Sequence, residues 1–140
     1  MHSSEEYEHS ANAAAWRLSL LLRCIAMHSV LVGITLVVAP DAVLEYFGFA
    51  PGGEEFFRIQ AGVFHIAVAF VYTRESMMQP TVMPQTAFIK CVAVVFLFTY
   101  YFMVDSIPVV LLSALTDGVM GALTIVGYRQ TRQERLRQYS

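Results

Sequence analysis

Three ionisable side chains lie inside long apolar runs: His28, His65 and Asp117. In hydrocarbon such groups are costly and rare, and they face the interior of a bundle, which makes each a candidate functional residue. Two neutral imidazoles from different helices can hold one iron between them, so His28 and His65 form a candidate haem b pair. Adding Asp117 gives three ligands for a metal with one position left open, although no His-x-x-His or Glu-x-x-His spacing accompanies them. The same trio could instead exchange protons with a quinone headgroup, Asp117 being protonated or ion-paired. The competing structural reading is that His65 hydrogen-bonds Asp117 and the pair only fixes helix packing.

Helical spacing groups further polar residues with these three. Ser113, Asp117, Thr124 and Tyr128 recur at multiples of three to four residues, as do Arg58, Gly62, His65 and Tyr72, so two polar stripes are expected to face each other. Arg17, Cys24, His28 and Thr35 share a face of the first run. Arg23 points away from it and is expected to snorkel to the cytoplasmic surface or pair with a neighbour. Lys90, about one turn inside the third run, reads as an interfacial anchor reaching headgroups or Glu75. Gly118 and Gly121, with Gly127, Ala114 and Ala122, offer small surfaces on which helices can pack closely.

The elements that position these residues follow from composition. Across 140 residues, 56% of side chains are hydrophobic and 14% charged. That apolar excess goes beyond what the core of one small soluble domain needs, and lipid accounts for it. A soluble four-helix bundle would keep a polar outer face, and residues 92–103 have none. The reading is one all-α, membrane-embedded four-helix bundle with spans at about residues 15–39, 56–73, 87–104 and 107–128, an acidic flexible tail at 1–12 and a basic tail at 129–140. Between the first two spans, Pro40 and Gly48 bracket a short amphipathic segment expected to lie on the membrane surface. Glu54 and Glu55, after the Pro51-Gly52-Gly53 linker, favour a helix start. Pro80 and Pro84 break the chain before the third span, and residues 105–108 form the tight turn of a closing hairpin. Counting from the outer ends of the spans at about 1.5 Å per residue, His28, His65 and Asp117 lie roughly 17, 14 and 15 Å deep, on one level.

Arg17, Arg74, Lys90, Arg129, Arg132, Arg135 and Arg137 fall on one side of this arrangement and Arg58 alone on the other, which predicts both termini in the cytoplasm. Trp16, Tyr72 and Tyr128 are expected at the inner interface, and Tyr46 and Tyr101 at the outer one. The basic tail is explained by topology and anionic lipid, so nucleic acid is not an expected partner. No phosphate loop, nucleophile elbow, Cys-x-x-Cys or zinc-helix pattern occurs. Cys24 and Cys91 sit in apolar runs as small buried side chains.

The first span ending in Ala39-Pro40, the Tyr46-Phe47-Gly48 turn, Phe57-Arg58-Ile59-Gln60-Ala61-Gly62 opening the second span, and Asp117-Gly118 in the fourth resemble small bacterial four-helix membrane proteins of the DoxX-like kind. The resemblance implies a multi-pass protein of the bacterial cytoplasmic membrane, associated in some members with redox enzymes, and carries over no functional residue. Two functions are therefore expected. One is a non-catalytic subunit or assembly partner of a larger, redox, membrane complex, contacting lipids and other subunits or copies of itself. The other is a small redox protein binding haem or quinone through His28, His65 and Asp117.

Overall fold

The computed structural model describes residues 2–49, 55–78 and 84–138. The Pro51-Gly52-Gly53 linker, Glu54 and Pro80 lie outside the described residues. Five helices follow one another: α1 (His2–Val38), α2 (Asp41–Tyr46), α3 (Glu55–Met77), α4 (Gln85–Met103) and α5 (Pro108–Gln138). α1, α3, α4 and α5 each contain a stretch long and apolar enough to cross a membrane, the makeup of a multi-pass membrane protein.

The helix boundaries are set by proline and glycine. Pro40, in extended conformation, precedes α2, and α5 begins at Pro108 itself. Beyond α2 the chain turns at Gly48 with φ 91°, a conformation that disfavours any side chain. A Cβ there would also lie 3.2 Å from Ile107, so α2 ends against the α4–α5 turn.

A helix end inside a bundle leaves backbone groups without intrahelical partners. Here neighbouring helices supply them. Arg58 on α3 donates to the carbonyl of Leu36 in the last turn of α1, at 2.5 Å. Ser19 on α1 donates to the carbonyl of Ser76 at the end of α3, at 2.7 Å. The N–H of Thr86 at the start of α4, where Pro84 offers no side-chain cap, donates to the Glu75 carboxylate at 2.7 Å.

The helices pack as a ring. α1 lies most extensively against α3 and also against α5; α4 lies against α5 and touches α3 lightly. α3 and α5 are thus diagonal, and they meet directly where Tyr128 of α5 donates to Glu75 of α3 and where Met120 packs on the core. The tightest seam is the crossing of α1 and α3, where a Cβ on Gly33 would stand 2.7 Å from the Gly62 carbonyl oxygen. Such close approach is how small residues hold membrane helices together. A core of Ile25, Ala26, Ala69 and Tyr72 continues this seam toward the other end.

Polarity is reversed relative to a water-soluble bundle. Phe64, Phe70, Phe96 and Phe102 are exposed, while Glu75, Thr86, Lys90 and Asp117 are buried. Lipid, not water, suits that surface.

Residues 2–12, expected to be flexible, continue α1 without a break. α5 likewise runs on to Gln138 and not to the vicinity of Tyr128. The two extensions pack together: Ala11 and Thr131 are buried, and Ser10 donates to Glu134 at 3.1 Å. At 37 residues, α1 is about 55 Å long against a hydrocarbon core of about 30 Å, so it carries this contact past the bilayer. The first and last described helical turns thus lie at the same end of the bundle.

Candidate functional site

The interior is organised around Lys90. Its ammonium, 3% exposed, is ion-paired to Asp117 of α5, whose side chain is 10% exposed. The ring of Tyr72 on α3 lies beneath it, 5.5 Å from the nitrogen to the ring centre, in cation–π contact. Gly121 makes room for the lysine: a Cβ there would meet the Lys90 Cβ at 3.3 Å. An interfacial, snorkelling Lys90 is therefore corrected. The lysine bends inward because Asp117 offers a charged partner and Gly121 leaves space. Tyr72, expected in the interfacial belt, is 1% exposed and forms part of the core instead.

His28 on α1 and His65 on α3 are both partly buried, and the charges of Lys90 and Asp117 act on both imidazoles. Among the described residues His28, His65 and Asp117 do not come together as a ligand set; what the two imidazoles share is the nearby Lys90–Asp117 pair. Asp117 takes Lys90 as its partner, not His65. His65 Nδ1 and the hydroxyl of Ser29 are buried with no hydrogen-bond partner. Gly33 meets Gly62 and Ile66, and Ser19 meets Ser76; this antiparallel register sets Ser29 opposite the turn of α3 that holds His65 and Ala69.

Glu75 forms a second polar centre toward the termini. One carboxylate oxygen accepts the N–H and, at 2.5 Å, the hydroxyl of Thr86; the other accepts the hydroxyl of Tyr128 at 2.5 Å. One carboxylate at the end of α3 thereby ties the start of α4 to α5. A negative charge at the first turn of a helix is favoured by its free N–H groups and dipole. Sequence reasoning placed Glu75 only as a possible contact of Lys90. The available signal was a glutamate one short connector ahead of a helix that begins without a capping side chain.

The remaining predicted residues are dispersed. Arg58 is engaged at the opposite end, on Leu36 and, at 3.7 Å, on Glu55. Thr124 is buried and donates back to the carbonyl of Met120 at 2.8 Å. Ser113 and Arg23 are exposed, as are Cys24 and Cys91, which were expected to be buried. Gly118 has only Val94 near it, at 3.8 Å from an added Cβ. The closest glycine contact, Gly33 on Gly62, went unremarked in the sequence because the two glycines stand alone, each in a different helix.

Among the described residues, no three His, Cys, Asp or Glu side chains gather closely enough to hold a metal ion. What the arrangement does do is satisfy its buried charges internally, lysine by ion pairing with aspartate and glutamate by three hydrogen bonds. Comparison with known proteins adds no relative: no family model, curated protein or solved structure matches the chain.

Proposed function

We propose that this chain is a non-catalytic integral membrane subunit, a packing partner within a larger complex of the bacterial cytoplasmic membrane, with both termini in the cytoplasm. A redox enzyme is the class of complex that the DoxX-like resemblance implies. One observation carries the reading. The buried charges are engaged within the bundle, Lys90 in an ion pair with Asp117 and Glu75 by hydrogen bonds from Thr86 and Tyr128, so they serve to hold the helices in place. Broad apolar faces remain for neighbours, above all on α4, where Phe88, Val92, Val95, Phe96 and Phe102 are exposed. Extraction of the tagged chain from its native membrane in two mild detergents tests this. Another membrane polypeptide at the same fixed stoichiometry in both supports the reading; a chain that elutes alone in both contradicts it.

A further inference from the structure

Among the described residues, the buried polar and charged side chains are distributed unevenly along the bundle. Glu75 and Ser76 end α3, Thr86 and Lys90 lie in the first two turns of α4, and Asp117, Thr124 and Thr131 descend α5 toward its C-terminus. The eighth, Ser29, stands at mid-bundle. Toward the opposite end, the buried side is Gly33 against Gly62, Ala114 and Leu44. Among the described residues, the buried polar side chains thus lie between the end that carries both termini and mid-depth, alongside the apolar Leu18, Leu22, Ile25 and Ala69, and none lies beyond.

At the blind end of this polar half stand two polar atoms that the protein leaves unsatisfied, Ser29 Oγ and His65 Nδ1. They belong to the two helices of the tightest seam and lie at matching positions along it. Buried polar groups almost always find partners, and in a membrane interior no solvent outside the bundle can supply one. A small ligand that both donates and accepts satisfies both. Water meets that requirement, and histidine is the side chain that exchanges protons with it near neutrality.

We propose that Ser29 and His65 form a proton-binding site, reached from the end of the bundle that carries both termini and closed toward the other end by the Gly33–Gly62 contact. A water held between the serine hydroxyl and His65 in its Nε2–H tautomer donates along the ring to Nδ1. As the new N–H bond forms, an O–H bond of the water breaks, and the water recovers a proton from the polar half behind it. Release is the reverse, no electrons move, and His65 cycles between imidazole and imidazolium. The charged and titratable groups near enough to act on it are His28 from α1, Lys90 from α4 and Asp117 from α5. Asp117 is the counter-charge for the imidazolium, and its sharing with Lys90 keeps the site from holding the proton permanently.

This goes beyond the subunit reading and does not depend on it, since the protein can be purified with or without a partner. Proton uptake by the full chain in bilayer discs is measured on acidification from about pH 8 to pH 5, the range in which histidine titrates. The wild type is expected to bind about one proton per chain more than His65→Gln, with the variant's helix content and elution unchanged. Equal uptake overturns the proposal. If His65→Gln does not fold, nitrogen-15 resonances of the assigned His65 ring in the wild-type chain replace it: they must move over the same range, and fixed resonances overturn the site. In sealed vesicles, wild-type protein is expected to leave an imposed pH gradient as stable as in protein-free vesicles. A gradient that collapses faster overturns the closed end.

Discussion

Gly33 and Gly62 each occupy the space a side chain would need on the other: an added Cβ on either would stand 2.7 Å from the carbonyl oxygen of its opposite number. Backbone cannot yield as a flexible side chain can, so Gly33→Ala and Gly62→Ala are expected to push α1 and α3 apart, each costing about 1–3 kcal/mol. Gly118→Ala, with its nearest neighbour at 3.8 Å, is expected to be neutral within about 0.5 kcal/mol. Unfolding titrations in mixed micelles compare the three. A Gly118 variant as unstable as the other two would refute this account of the seam.

Glu75 makes a separate prediction, because a single carboxylate carries the start of α4 and the hydroxyl of Tyr128. Glu75→Leu leaves the buried N–H and hydroxyl of Thr86 without their acceptor, at an expected cost of about 1–3 kcal/mol. Tyr128→Phe removes one bond and leaves the others, costing about 1 kcal/mol. Thermal melts followed by circular dichroism would show the order; equal melts for both variants would remove Glu75 as the tie between α3, α4 and α5.

The course of the chain places α2 at the end of the bundle opposite both termini. With Cys24 and Cys91 replaced, Glu45→Cys in α2 is expected to react with a membrane-impermeant maleimide on intact cells, while a cysteine appended to either terminus reacts only after the membrane is opened. Labelling of both termini from outside would invert the orientation; labelling of one alone would break the four-span path.

Haem ligation by His28 and His65 would need room between α1 and α3, and the contact of Gly33 with Gly62 closes that seam beside both residues. Protein purified from cells supplied with haem precursor is therefore expected to show no Soret absorbance. A Soret band lost in both His28→Ala and His65→Ala would return the redox reading to first place.

The four spans were legible because apolar length, Pro40, Gly48 and Pro108 are local signals. The N-terminal segment gives no local helix signal, because its residues carry no apolar stripe. It is helical because α1 continues through Ala11 onto the extension of α5, a partner more than a hundred residues away in sequence. The common depth of His28, His65 and Asp117 could be counted along the spans. Lys90 could not be placed the same way: a lysine one turn inside a span reaches water as readily as a carboxylate. What turned it inward was the opening left by Gly121 opposite it and the ring of Tyr72 beneath, both properties of neighbouring helices.

The central claim is that the interior charges hold the bundle together, and the Lys90–Asp117 pair tests it most directly. Lys90→Met and Asp117→Leu each leave one buried charge without its partner, at an expected cost of about 3–5 kcal/mol, whereas an apolar pair is tolerated where an ion pair stood. A double-mutant cycle, read as unfolding free energy in lipid–detergent micelles, should therefore show two unstable single variants and a double variant restored to near wild-type stability. Single variants as stable as the wild type, or losses that simply add in the double variant, would contradict it.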